Sequence, residues 1–133
     1  MKNKCKEDIV DVSGLRKSDV ILQIGANLPF MTKFVSQSVH IEEADSVPYT
    51  EIYDKIFVSG EVDISDELLG KLCCISVGTI IFLQLNDKLR QEIREVFDTK
   101  WYPANTWDVG SNLGQCLITD AKGPSLKVAC DGQ

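Results

Sequence analysis

The sequence predicts an α/β protein: a sheet with helices on both faces, closed by a C-terminal β-hairpin. Three observations carry this expectation. Val20–Ile24 (VILQI) and Lys55–Ser59 (KIFVS) are compact apolar runs that stop at Gly25 and Gly60, as strands buried on both faces do. Segments with helical spacing alternate with these runs. Finally, Trp107–Val109 and Gln115–Thr119 flank Gly110-Ser-Asn-Leu-Gly114, the pattern of two strands and a tight connection. Strands alternating with helices define a doubly covered sheet.

The elements follow in order. Lys2–Ser13 is polar and is expected to be loosely held. After the first strand, Leu28–Val35 places apolar residues at 28, 31, 34 and 35, a helical face of one or two turns. Val39–Ile41 reads as a short strand. Asp45–Thr50 reads as a turn, in which Pro48 prevents regular pairing. Ser65 is a good N-cap for a helix over Asp66–Cys73, with Asp66 and Glu67 in the first turn, where the helix dipole favours acids. Thr79–Leu85 (TIIFLQL) is the clearest strand, and Asn86 caps the next helix. Over Asp87–Asp98, Leu89, Ile93, Val96 and Phe97 form one apolar stripe. The tail has linker composition around Gly123-Pro124. The expected division is a domain over 1–121 and the start of a linker or tail over 122–133.

A chain of 133 residues with 44% hydrophobic and 26% charged content suits one domain that buries its own core. The net charge of −6 argues against a nucleic-acid partner, because phosphate backbones are held by clustered Lys and Arg. The five cysteines include no Cys-x-x-Cys pair and no His/Cys ligand spacing, so no metal site is expected. They read as reduced thiols, with Cys74 and Cys116 packed as small hydrophobes. MKNKCKEDIV has no apolar core of a signal peptide, and the longest apolar run is too short to span a bilayer. These features fit a soluble cytosolic or nuclear protein, and a cytoplasmic monomer with no membrane partner is expected.

Chemistry is sparse. Gly25 ends a strand, where a nucleotide-type site uses glycine to let the backbone approach its ligand, but Ala26, Asn27, Leu28 and Pro29 follow instead of further glycines. A ribose-binding acid belongs at the end of the next strand, roughly twenty residues on, and Glu42, Glu43 and Asp45 lie near that distance. His40 lies in a strand without a nucleophile pattern, and Ser59 lacks the surroundings of a nucleophile elbow. No catalytic residue is expected. Trp101, Tyr102 and Trp107 read as packing or interface aromatics.

Taken together, VILQIGAN, the acidic turn EEADSVPY and Tyr53-Asp54-Lys-Ile-Phe-Val-Ser-Gly60 resemble a trimmed class I SAM-methyltransferase-like (Rossmann-like) sheet. In that alignment EEADSVPY fits the turn after the third strand, and the ribose-binding strand has no counterpart. Asp54 matches a position that is often structural. No Asn/Asp-Pro-Pro-aromatic motif for amino-group methylation follows, and Val77-Gly78 stands where Pro-Gly-Gly is usual.

A more specific resemblance is to the N-terminal domain of the anamorsin (cytokine-induced apoptosis inhibitor) family. YDKIFVSG resembles that family's "fDiilSG", VGTIIFL its "PGGclfl", and Cys116–Val128 its last strand running into "KKPsw", with Gly123 in place of the second Lys. The resemblance implies a non-catalytic domain of a protein in cytosolic iron–sulfur protein assembly. Its role there is protein interaction for electron transfer from a diflavin reductase. It further implies no cofactor in this chain, the iron–sulfur clusters belonging to a C-terminal region not matched here. The alternative is a minimal SAM-dependent methyltransferase, using Gly25 for close approach and Glu42 or Asp45 as polar contacts.

Overall fold

Along the chain come α1 (Ile9–Ser13), β1 (Val20–Ile24), β2 (Gln37–Ile41), β3 (Tyr53–Ser59), α2 (Asp66–Ile75), β4 (Ser76–Leu83), α3 (Asp87–Thr99), β5 (Asn105–Ser111) and β6 (Gly114–Asp120). They are seen in a computed structural model that describes residues 8–25, 28, 33–43, 46, 51–99, 105–111 and 114–120. The strands form one sheet in the order β2-β1-β3-β4-β6-β5. The first four are parallel, β6 adds antiparallel to β4, and β5 pairs antiparallel with β6 at the edge.

Period-two alternation along each strand sorts the apolar residues onto two faces. Leu22, Ile24, Ile56, Val58, Ile80, Phe82 and Leu117 face one way, against Leu68, Leu69 and Leu72 of α2 and Ile93 and Phe97 of α3. Ile21, Phe57, Ile81, Leu83, Cys116 and Ile118 face the other way, against Ile9, Leu15 and Val35. Both faces are therefore covered, which is why these strands read as continuous apolar runs.

The helix starts are chemically determined. Leu68 N donates to Ser65 Oγ at 3.1 Å and Leu89 N to Asn86 Oδ1 at 2.7 Å, caps worth about 1 kcal/mol each. α2 runs two residues beyond the expected Cys73 before the chain passes straight into β4. Arg90 and Arg94 of α3 both reach Asp108 of β5, at 3.1 and 2.8 Å. They tie the helix to the outermost strand.

At the N-terminal ends of the central strands, Val20 N donates to Asp54 Oδ2 at 2.8 Å, giving Asp54 a structural role. Beside it, Lys55 Nζ meets Asp19 Oδ2 at 3.2 Å with both side chains largely buried. Asp19 also accepts from Arg16 N at 2.9 Å.

Two expectations are corrected. Residues 9–13 are helical rather than loosely held: Asp8 caps the helix through Val10 N, Gly14 closes it at φ 69°, and Ile9 is fully buried. Of the cysteines, Cys73 and Cys116 are buried while Cys74 is only partly so. The inward stripe of α2 runs through Leu68, Leu69, Leu72, Cys73 and Ile75, which turns Cys74 away.

Of the helical face read over 28–35, residues 33 and 34 are helical and 29–32 lie outside the described residues. Trp101, Tyr102 and the tail 122–133 lie outside them as well. Among the described residues no helix is long and apolar enough to cross a membrane.

The Phe82 ring lies 6.2 Å from that of Phe97, tilted by 58°, and both are buried. Phe82→Ala is expected to lower the unfolding free energy by about 3–5 kcal/mol in a urea titration. Trp107→Ala, at a half-exposed position of β5, is expected to cost no more than about 1 kcal/mol. Burial raises the Cys116 thiol pKa, opposed only in part by Ser111 Oγ and a Gln84 backbone bond. Iodoacetamide at about pH 8 is expected to leave Cys116 unmodified in the native protein and to alkylate it after unfolding, read by peptide mapping.

Candidate functional site

β1 pairs with β2 on one side and β3 on the other, so strand order reverses at β1. In open α/β sheets such a reversal leaves a crevice beyond the carboxyl ends of the strands. Here Ile24 is level with both Ile41 and Val58, so the residues after them converge. A crevice of about 650 Å³ is lined by Gly25 after β1, Glu42 and Glu43 after β2, Glu61, Val62 and Asp63 after β3, and Glu67 and Lys71 of α2.

This geometry revises the alignment read from the sequence. β2 lies directly beside β1 over five residue pairs, the place of a ribose-binding strand, so that position is filled. Glu42 is the first residue beyond its end. Two of the candidate contacts, Gly25 and Glu42, are brought to the same crevice. Asp45 lies outside the described residues.

The loops are held by a small set of polar bonds. Gly25 N donates to Ile41 O at 2.8 Å. Gln23, fully buried in β1, accepts from Leu28 N through Oε1 at 2.9 Å and donates through Nε2 to Ser38 Oγ at 3.1 Å. It thus fastens the loop after β1 to β2. Ser59 shapes the turn after β3: its Oγ accepts from Glu61 N and its carbonyl from Val62 N, each at 3.1 Å.

That turn carries Val62 onto Gly25. Gly25 has φ 75°, and a Cβ built there would overlap the Val62 side chain and lie 3.3 Å from Ser59 Cβ. The space that glycine opens is taken by the chain itself. Gly60 is equally constrained, since a Cβ there would come within 2.7 Å of Gln84 O.

Charge dominates the rest of the crevice. Among the described residues, five carboxylates, from Glu42, Glu43, Glu61, Asp63 and Glu67, face one ammonium, that of Lys71, which is 3.7 Å from Glu67. His40 Nε2 lies 3.4 Å from Glu42 Oε2, whose side chain is well exposed. Such a surface pair contributes little. The crevice therefore favours cationic groups and repels phosphates. Among the described residues no group of three or more His, Cys, Asp or Glu side chains could hold a metal.

Val62, Gln23 and Lys71 were not singled out from the sequence, and Glu67 was read only as a first-turn helix acid. Gln23 carried a signal, as the lone polar residue inside an apolar run. Val62 carried none, because its neighbour is 37 positions earlier in the chain (62 − 25).

Sheet order and crevice together define a methyltransferase-like α/β domain. The chain resembles precorrin-6y C5,15-methyltransferase from Geobacter metallireducens at a TM-score of 0.58 and 12% identity, over 85% of each chain. It also resembles magnesium protoporphyrin IX methyltransferase from Synechocystis with bound SAM, at a TM-score of 0.55 and 8% identity, over 84% of this chain and 74% of that one. The same enzyme with bound SAH gives a TM-score of 0.52 and 8% identity, over 83% and 76%. These likenesses establish a methyltransferase-like, Rossmann-like fold. No family model matches the sequence, and the comparison with curated proteins gives no match.

Gly25→Ala is expected to destabilise the protein by about 1–3 kcal/mol, combining left-handed backbone strain with the clash against Val62. In a double-mutant cycle, Val62→Ala should recover the steric part only, giving a favourable coupling of about 0.5–1 kcal/mol by thermal or chemical unfolding.

Proposed function

We propose that the chain is a methyltransferase-like recognition domain that transfers no methyl group, as its resemblance to the anamorsin family implies. The observation that supports this is the Val62 side chain lying over Gly25. A cofactor that approaches the backbone at this glycine on the Val62 side first has to displace the Val62 side chain. The surrounding carboxylates disfavour the carboxylate of S-adenosylmethionine but favour its ammonium and sulfonium, so the poor fit rests on Val62 rather than on charge.

In this reading the domain spans 1–121 and the remainder begins a linker. The domain carries no cofactor and no metal of its own, and acts in the cytoplasm. Its partner is a protein, a diflavin reductase by the family resemblance, and it holds a separate cluster-bearing segment near that source of electrons. The physical gain is effective concentration: tethering raises the encounter rate of two redox centres without a new contact between them.

A second reading, a minimal SAM-dependent methyltransferase, is favoured by one observation. Gly25 and Glu42 line the same crevice at the switch point, with Glu42 where a ribose-binding acid belongs. Isothermal titration separates the two. The recognition reading expects no saturable heat with S-adenosylmethionine or S-adenosylhomocysteine up to about 1 mM. A dissociation constant near 1 μM, equivalent to about −8 kcal/mol, overturns it in favour of the enzyme.

A further inference from the structure

On the face of the sheet covered by α2 and α3, a second groove of about 630 Å³ runs between the two helices. Leu69 of α2 and Ile93 of α3 are buried beneath it, and Leu89 and Val96 are half-buried along it. On α3, Leu89, Glu92, Ile93 and Val96 share one face by their spacing. The groove is thus apolar along its length and acidic at its margins, with Glu92 and Glu95 on one wall and Asp66 on the other. Its lining, among the described residues, includes no basic side chain.

We propose that this groove seats a basic amphipathic helix of a partner protein. The inference rests on the reading of the chain as a recognition domain and names the chemistry of what it recognises. A trough between two helices takes the apolar face of a third, with anchors at i, i+3, i+4 and i+7. Carboxylates on both walls then select Lys and Arg flanking those anchors, and the whole-chain charge of −6 steers such a helix inward. A second copy of this chain is the poorer occupant, because it brings the same acidic margins. An anionic membrane surface is repelled for the same reason.

The test uses the 133-residue chain and two labelled synthetic peptides of about 14 residues, in fluorescence anisotropy. One carries Leu at i, i+3, i+4 and i+7 with Lys elsewhere; its twin has Glu in place of Lys. The basic peptide is expected to bind saturably and at least tenfold more tightly than the twin, and to weaken as salt screens the carboxylates. The Glu92→Lys/Glu95→Lys double variant, checked for an unchanged melting temperature, is expected to lose at least tenfold for the basic peptide.

Equal binding of the two peptides, or no effect of the double variant, overturns the proposal. So does loss of binding in Glu42→Gln/Glu43→Gln, which would move the site to the crevice at the strand ends. Sedimentation showing a dimer that Glu92→Lys/Glu95→Lys disrupts would assign the groove to a second copy instead. S-adenosylmethionine titrated into the same sample keeps the two readings apart. Binding of both ligands overturns the non-catalytic reading alone, whereas binding of neither overturns the groove alone.

Discussion

The register between β1 and β3 is the constraint on which the molecule depends. Each strand is buried on both faces, so a slip of one residue would exchange the two apolar clusters. Backbone bonding alone does not forbid that slip. Asp54 does, by accepting from Val20 N across the pair, and so does the ion pair of Lys55 with Asp19. A largely buried ion pair adds little net stability, but removing one partner leaves the other charge uncompensated, at about 3–5 kcal/mol. It therefore acts against wrong alignments more than for the right one. Once β1 and β3 are level, their far ends are level too, and the crevice follows.

The sheet thus has two ends of different character. One is clamped by side chains that satisfy each other. The other is a set of turns, held by Ser59 and Gln23, with carboxylates facing solvent. Ser59 and Gly25 are residue types that suggest chemistry when met in a sequence. In the folded protein, Ser59 shapes the turn and Gly25 makes room for Val62. The fold is methyltransferase-like, and the space beside Gly25 is occupied by the chain's own packing.

The central strands were legible because burial on both faces leaves a simple mark: VILQI, KIFVS and TIIFL are unbroken apolar runs with glycine or polar stops. Ser65 and Asn86 marked helix starts through local chemistry, and Leu89, Ile93, Val96 and Phe97 carry the α3 stripe. α1 was not legible, because five residues are too few to display a helical period, and its burial rests chiefly on Ile9. β2 was read as the counterpart of a third strand for a different reason. Pairing is a long-range property, and the acidic run after it suits the end of either of two strands. Gly25 and Glu42 were identifiable by spacing, whereas Val62 reaches the site only through the turn after β3.

The strand order carries a consequence for the chain as it is made. β4 contains the most apolar run of the sequence, and its outer edge is covered by β6 rather than by the intervening β5. During synthesis the parallel half can assemble while Ile80, Ile81 and Phe82 still present open backbone groups. They stay open until residues 114–120 have emerged and folded back. An exposed apolar edge is a template for pairing with other chains. The nascent protein therefore passes through a window in which it is prone to aggregate, and a chain that stops before β6 stays in it.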